Sequence, residues 1–159
     1  MNKNRNLLFL ILSVILIFII GVMYEADYRT LTRNSIKYFA DYKLSFYGAK
    51  EFRIFETDIA FILTLIPISF FVLTKNLASF VLKVRFAIFY GICIPAFYCL
   101  YCFLESEFIK ITITLPDYVN GALMYHSNNI NYRLILFATI ISTYIVGIIS
   151  KKIIIKANR

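Results

Sequence analysis

Cys99 and Cys102 form a C-x-x-C pattern, the spacing at which two thiols can alternate between a dithiol and a disulfide. A thiol oxidoreductase in a membrane also needs a second cysteine pair to relay the electrons. The remaining cysteine, Cys93, stands alone about two helical turns earlier. Because the sequence holds no second pair, we expect all three cysteines to be small apolar side chains of a helix. Redox chemistry at Cys99 and Cys102 is kept as the alternative.

Three acidic pairs share one spacing, with a single residue between their members. They are Glu25 with Asp27, Glu56 with Asp58, and Glu105 with Glu107. Acid–base catalysis by such pairs would require a cleft and one carboxyl group with a raised pKa. Each pair instead stands at the end of an apolar run, which is typical of a hydrated helix end. The functional alternative is an acidic rim that receives a basic partner or cations.

The only histidine, His126, lies in a polar stretch without a cysteine or carboxylate at metal-ligand spacing. The sequence also has no glycine-rich phosphate loop, no G-x-S-x-G and no H-E-x-x-H. We therefore predict no catalytic residue, no metal and no cofactor, and we expect His126 at the surface.

The composition excludes a soluble globular domain. Hydrophobic residues make up 60% of the 159 residues and charged residues 16%, against about 45–50% and about 25% in ordinary domains. The mean hydropathy is +0.75. A chain this small cannot bury so much apolar surface in water, so much of it must face lipid.

Four uncharged runs are long enough to be transmembrane helices. They are Leu7 to Met23, Ile59 to Thr74, Phe86 to Leu104 and Leu134 to Ser150. As helices they would be about 24–29 Å long, close to the hydrocarbon core of about 30 Å. We predict an all-α membrane protein, a single domain over residues 1–159 with four spans. Because their interiors hold no ionisable residue, the runs argue against a pump or coupled transporter.

The charges predict the orientation in the membrane. Nine basic and no acidic residues lie on the short segments that include both termini, whereas every carboxylate lies on the two opposite loops. Basic residues crowded at span ends favour the cytoplasm. We predict cytoplasmic termini in a bacterial inner membrane. This topology accounts for the net charge of +8 without a nucleic-acid partner.

The two opposite, outer loops show different periodicities. In the loop from Tyr24 to Thr57, aromatic and apolar residues recur at intervals of roughly three and four, which predicts an amphipathic helix at the membrane interface. These residues are Tyr28, Leu31, Phe39, Tyr42 and Phe46. In the loop from Glu105 to Tyr132, Ile109, Ile111 and Ile113 alternate, and Asn120-Gly121 is a turn signal. This loop predicts a small outer strand or hairpin.

Two spans carry small residues or proline at every fourth position. The third has Ala87, Gly91 and Pro95, and the fourth has Thr139, Thr143 and Gly147. Such stripes let helices pack closely within one protein. The alternative is a groove that docks a helix of another protein.

The end of the third span resembles the immunity proteins that protect bacteria from their own pore-forming colicins, in the colicin A, B and N group. The similar residues are Tyr101-Cys102-Phe103-Leu104, then Glu105 and Glu107, then Ile111-Thr112-Ile113-Thr114. A second similar stretch runs from Thr57 through Leu73 to Thr74-Lys75. The first outer loop lacks the family's Ser-Ile-Thr-Ser-like stretch. The small, basic, Ile- and Phe-rich chain as a whole is similar to the four-span members.

The resemblance implies a binding protein that recognises a toxin's channel domain in the membrane and blocks the channel before it opens. A toxin arriving from outside first meets the outer ends of the second and third spans. We therefore predict a partner-binding surface there, surrounded by membrane lipid. Its residues are Asp58, Gly91, Pro95, Glu105, Glu107 and Phe108. The alternatives are a structural or accessory subunit of a membrane complex and a quinone-linked thiol oxidoreductase.

Overall fold

The computed structural model describes residues 3–41, 44–48, 57–75, 77, 79–112, 118–119 and 122–157. The chain is mostly helical, with a small sheet. The helices are α1 (Lys3–Met23), α2 (Glu25–Phe39), α3 (Asp58–Leu63), α4 (Leu65–Thr74), α5 (Phe80–Thr112) and α6 (Tyr132–Ala157). The strands are β1 (Leu44–Tyr47), β2 (Tyr118–Val119) and β3 (Ala122–His126).

Three helical segments of the described chain are long and apolar enough to cross a membrane: Asn6–Met23, Phe80–Thr112 and Ser127–Ile153. The remaining predicted span is a shorter apolar stretch, Asp58–Thr74, which is divided into α3 and α4 at Thr64. Pro67 explains the division, because it has no N–H to donate to the Leu63 carbonyl. At the division itself, the Thr64 hydroxyl donates to the Phe61 carbonyl at 2.6 Å.

Helix α5 is much longer than the run from Phe86 to Leu104. Its 33 residues span about 50 Å, so it extends beyond a bilayer core of about 30 Å. The strand predicted around Ile109 and Ile111 is wrong for its described part, since α5 continues to Thr112. Ile109 is fully buried, whereas Ile111 is 82% exposed. This difference is expected because side chains two residues apart on a helix point in different directions.

The strands form a small mixed sheet in the order β1-β3-β2 beside the helices, so the described chain is mostly rather than purely helical. β1 runs parallel to β3, with Leu44 opposite Leu123, and β2 pairs antiparallel, with Val119 opposite Ala122. The turn residues Asn120 and Gly121 lie outside the described residues. Extending the amphipathic helix to Phe46 is wrong, because α2 ends at Phe39 and Phe46 belongs to β1. Tyr42 also lies outside the described residues.

The two ends of the bundle differ in the charged residues that they carry. Close to Met23, Gly21 of α1 lies against Ala60 of α3, and a Cβ atom at Gly21 would come within 2.7 Å of the Ala60 Cα. At the other end of α1, Asn6 lines a cleft with Lys75 and Lys83. We call the first the carboxylate end, because Asp58 and Glu25 begin helices there, and the second the basic end.

Candidate partner-binding surface

The middle of α5 presents an open face made by Ala87, Gly91 and Pro95. All three residues are exposed within the described chain. A Cβ atom added at Gly91 would meet nothing within 4 Å. The first small-residue stripe is therefore not used for packing among the described helices, and its backbone is accessible to another molecule.

The backbone of this open face lacks one hydrogen-bond donor. Pro95 lies inside α5, and a proline has no N–H for the carbonyl four residues earlier, which here belongs to Gly91. In lipid, an unpaired backbone carbonyl is costly, and neighbouring helices often supply the missing donor. The open face thus combines room for close approach with an acceptor.

The second stripe, on α6, is used inside the protein. Thr139 and Thr143 are fully buried, and their hydroxyl groups donate to the carbonyls of Ile135 and Thr139. A Cβ atom at Gly147 would lie 2.7 Å from Leu73 Cδ1 of α4. The packing interpretation is confirmed for this stripe.

Asp58, at the start of α3, pairs with Arg133, at the start of α6. Their closest atoms, Oδ2 and Nη2, are 2.6 Å apart. Both side chains are about half exposed, so the pair contributes about 1 kcal/mol or less. The pair joins the start of α3 to the start of α6.

Glu105 is half-buried on α5 and faces the start of α6. Its carboxylate interacts with the backbone N–H of Asn131. Burial, and secondarily the Glu105 charge, raise the pKa of Tyr125 in β3. Glu105 therefore connects α5, α6 and the sheet, and it is only partly accessible to a partner.

Glu107 has an intramolecular partner, whereas Phe108 is largely exposed. The Glu107 carboxylate lies 2.6 Å from Lys110 Nζ, and that ammonium group also donates to the Phe39 carbonyl at 3.4 Å. Phe108 is 58% exposed. Of the predicted surface residues, the three carboxylates have intramolecular partners, while Gly91, Pro95 and Phe108 are exposed.

A polar network that holds α2 against the bundle was not foreseen in the sequence. The Tyr28 hydroxyl donates to the Tyr132 carbonyl at 2.9 Å, and the Thr32 and Tyr98 hydroxyls are 3.0 Å apart. Burial raises the pKa of Tyr28. The sequence pattern that could have indicated this network is a Tyr and a Thr four residues apart on the apolar side of α2. The network fixes α2 over the C-terminal half of α5.

His126 lies at the end of β3, and the three cysteines lie on α5. His126 is half-buried, its ring meets Tyr47 edge-on at 5.2 Å, and its Nδ1 accepts from the Asn128 N–H. It is thus less exposed than we expected. All three cysteines are free, with Cys102 buried and Cys99 exposed. No group of metal-binding side chains occurs among the described residues.

Comparisons of the chain with protein-family models, curated proteins and solved structures found no match.

Proposed function

We propose that this chain is an immunity protein of the bacterial inner membrane that binds the channel domain of a pore-forming bacteriocin and blocks pore opening. In this proposal Asp58–Thr74 is the second of four spans, about 26 Å long as 17 helical residues. An even number of spans then leaves both termini in the cytoplasm, as the basic residues favour.

The observation that supports the proposal most is the open face of α5. Helices associate in lipid through close backbone contact and interhelical hydrogen bonds. The exposed Gly91 offers both, since nothing lies within 4 Å of its Cβ position and its carbonyl lacks a donor from Pro95. An apolar helix of a channel domain that carries a Ser or Thr hydroxyl fits this chemistry.

The position of α2 limits where such a helix can lie. Further out on α5, Cys102, Ser106 and Ile109 are fully buried, and α2 packs there through the contact between Thr32 and Tyr98. A partner helix therefore meets the open face at membrane depth, below α2. Binding there would hold a channel helix beside α5 and prevent its assembly into a pore.

The test is survival of sensitive cells that express the protein, challenged with a panel of purified pore-forming toxins. Gly91→Leu should reduce protection at least about 10-fold, because its bulk keeps a partner helix from the backbone. Ala96→Leu is the matched control. Ala96 is also exposed on α5 but points about 100° away from Pro95, so protection should stay near wild type. Both variants must reach wild-type levels in the membrane.

An accessory subunit of a membrane complex is the second candidate, because the same open face would suit a permanent partner. It would be favoured if the protein protects against no toxin in the panel but co-purifies stoichiometrically with another membrane protein. In that case Gly91→Leu should abolish the co-purification and Ala96→Leu should preserve it. Full protection by both variants would contradict binding at this face.

A further inference from the structure

A cleft of about 250 Å³ opens at the basic end of the bundle, between α1 and α4. At the carboxylate end α1 packs closely against α3, where Gly21 meets Ala60, whereas at the basic end the cleft lies between α1 and α4 and is lined by Asn6 and Thr74. One wall of the cleft is apolar and includes Phe9, Pro67 and Phe71. Its polar mouth carries Lys75 and Lys83.

Among the described residues, no carboxylate neutralises the charge of the mouth. In the sequence, every carboxylate side chain lies between positions 25 and 58 or between 105 and 117, so none is among the residues that line this cleft. Within the described part of the chain, no ion pair involves Lys75 or Lys83. The charged side chains of positions 1–5 and 151–159 are all basic.

The size and polarity of the cleft identify its occupant. Sites for whole small molecules measure about 300–1,000 Å³, so this cleft accommodates only part of a ligand. It suits a molecule whose anionic group meets two ammonium groups, whose chain contacts Phe9 and Phe71, and whose remainder lies in the bilayer. Basic pockets between membrane helices bind anionic lipid headgroups in this way.

We propose that this cleft binds one anionic phospholipid, with its phosphate between Lys75 and Lys83 and the first part of an acyl chain against the aromatic wall. The inference requires that the chain lies in a bilayer, and it is independent of toxin binding. The lipid would fill the space between α1 and α4 and hold the two segments together.

The experiment is native mass spectrometry of the full-length protein exchanged into phosphatidylglycerol or phosphatidylcholine. The wild type should retain one phosphatidylglycerol in preference to phosphatidylcholine. The double variant Lys75→Gln/Lys83→Gln should lower the retained phosphatidylglycerol about 10-fold, since each basic residue contributes to attraction of anionic lipid. The matched control Lys151→Gln/Lys152→Gln removes the same charge at the same end but outside the cleft, and it should retain the lipid.

Equal loss in the two double variants would overturn the site in favour of general surface charge, as would no loss in either. Displacement of the bound lipid by glycerol 3-phosphate at equal concentration would show a phosphate site without acyl recognition, and would also overturn the proposal. If the cleft variant does not fold, a photoreactive phosphatidylglycerol is used on the wild type. Crosslinks should then map to Phe9 and Phe71, and their absence there would refute lipid binding in the cleft.

Discussion

Three glycines that are alike in sequence meet very different surroundings. A Cβ atom at Gly21 would press on the Ala60 Cα at 2.7 Å, one at Gly147 would press on the tip of Leu73, and one at Gly91 would meet nothing. A backbone atom can move only with its whole helix, whereas a side-chain tip can rotate. An added methyl group should therefore change the free energy of unfolding by a different amount at each of the three positions.

Alanine at each glycine should order the stabilities accordingly. Gly21→Ala should destabilise by about 1–3 kcal/mol through overpacking, Gly147→Ala by less, and Gly91→Ala should be neutral or slightly stabilising. Helix propensity favours alanine over glycine by about 1 kcal/mol at helix interiors. Because this gain applies to all three variants, the differences between their stabilities report on packing. Unfolding in mixed micelles measures them. A Gly91→Ala variant less stable than Gly21→Ala would contradict the packing described here.

The buried Tyr28 should make stability depend on alkaline pH. Its folded-state pKa is raised by burial, so its neutral form favours the folded state. This contribution is fully present below pH about 10, the ordinary tyrosine pKa, and it is lost as the pH rises toward the higher folded value. Tyr28→Phe should be less stable by about 0.5–1.5 kcal/mol at neutral pH and should lose less between pH 9 and 11. Equal alkaline loss in both proteins would exclude Tyr28 as the cause.

At the scale of elements, the Asp58–Arg133 pair joins α3 and α6 through two residues that are 75 positions apart in the sequence. Because the pair is half exposed, we expect Asp58→Asn or Arg133→Gln to cost about 1 kcal/mol or less. The exchange Asp58→Arg/Arg133→Asp should restore most of that loss. A double-mutant cycle in unfolding experiments measures the coupling, and a swapped protein as unstable as the sum of the single variants would show that the two residues act separately.

The acidic rim and the open face of α5 differ as candidate partner contacts, because the rim carboxylates also contact neighbouring elements of the fold. Glu105 holds the start of α6 through Asn131, and Glu107 holds Lys110 near the end of α2. Charge reversal at these residues would disturb the packing of α2 and α6 against α5. Substitution at Gly91 adds bulk without breaking an intramolecular contact, so it separates partner binding from stability more cleanly.

At the scale of the whole molecule, the topology is directly testable. Reporter fusions after Asn76, Asn128 and the C-terminus should report cytoplasm, periplasm and cytoplasm, because the basic segments flank the first and last of these sites. A fusion in the α1 segment alone serves as the reference for membrane insertion. A periplasmic report at Asn76 would leave Asp58–Thr74 outside the set of spans and overturn the four-span arrangement.

The sequence by itself predicted a membrane protein and located its main apolar segments. Hydropathy is a property of each run, and the runs from Leu7, Phe86 and Leu134 all lie within long apolar helices. The division at Thr64 could also have been read from Pro67, because the missing N–H is a local property. By contrast, the alternating isoleucines gave the wrong element at the end of α5, since a window of four residues fits both a strand and a helix turn.

Only the tertiary structure decided which of the similar features are used internally. The two small-residue stripes look equivalent in sequence, yet Gly147 is packed against Leu73 and Gly91 faces open space. The acidic pairs also look equivalent, but Asp58 finds Arg133 and Glu105 finds Asn131 through contacts between distant segments. Spacing along the chain specifies the face of a helix, whereas the neighbour on that face depends on how the helices pack.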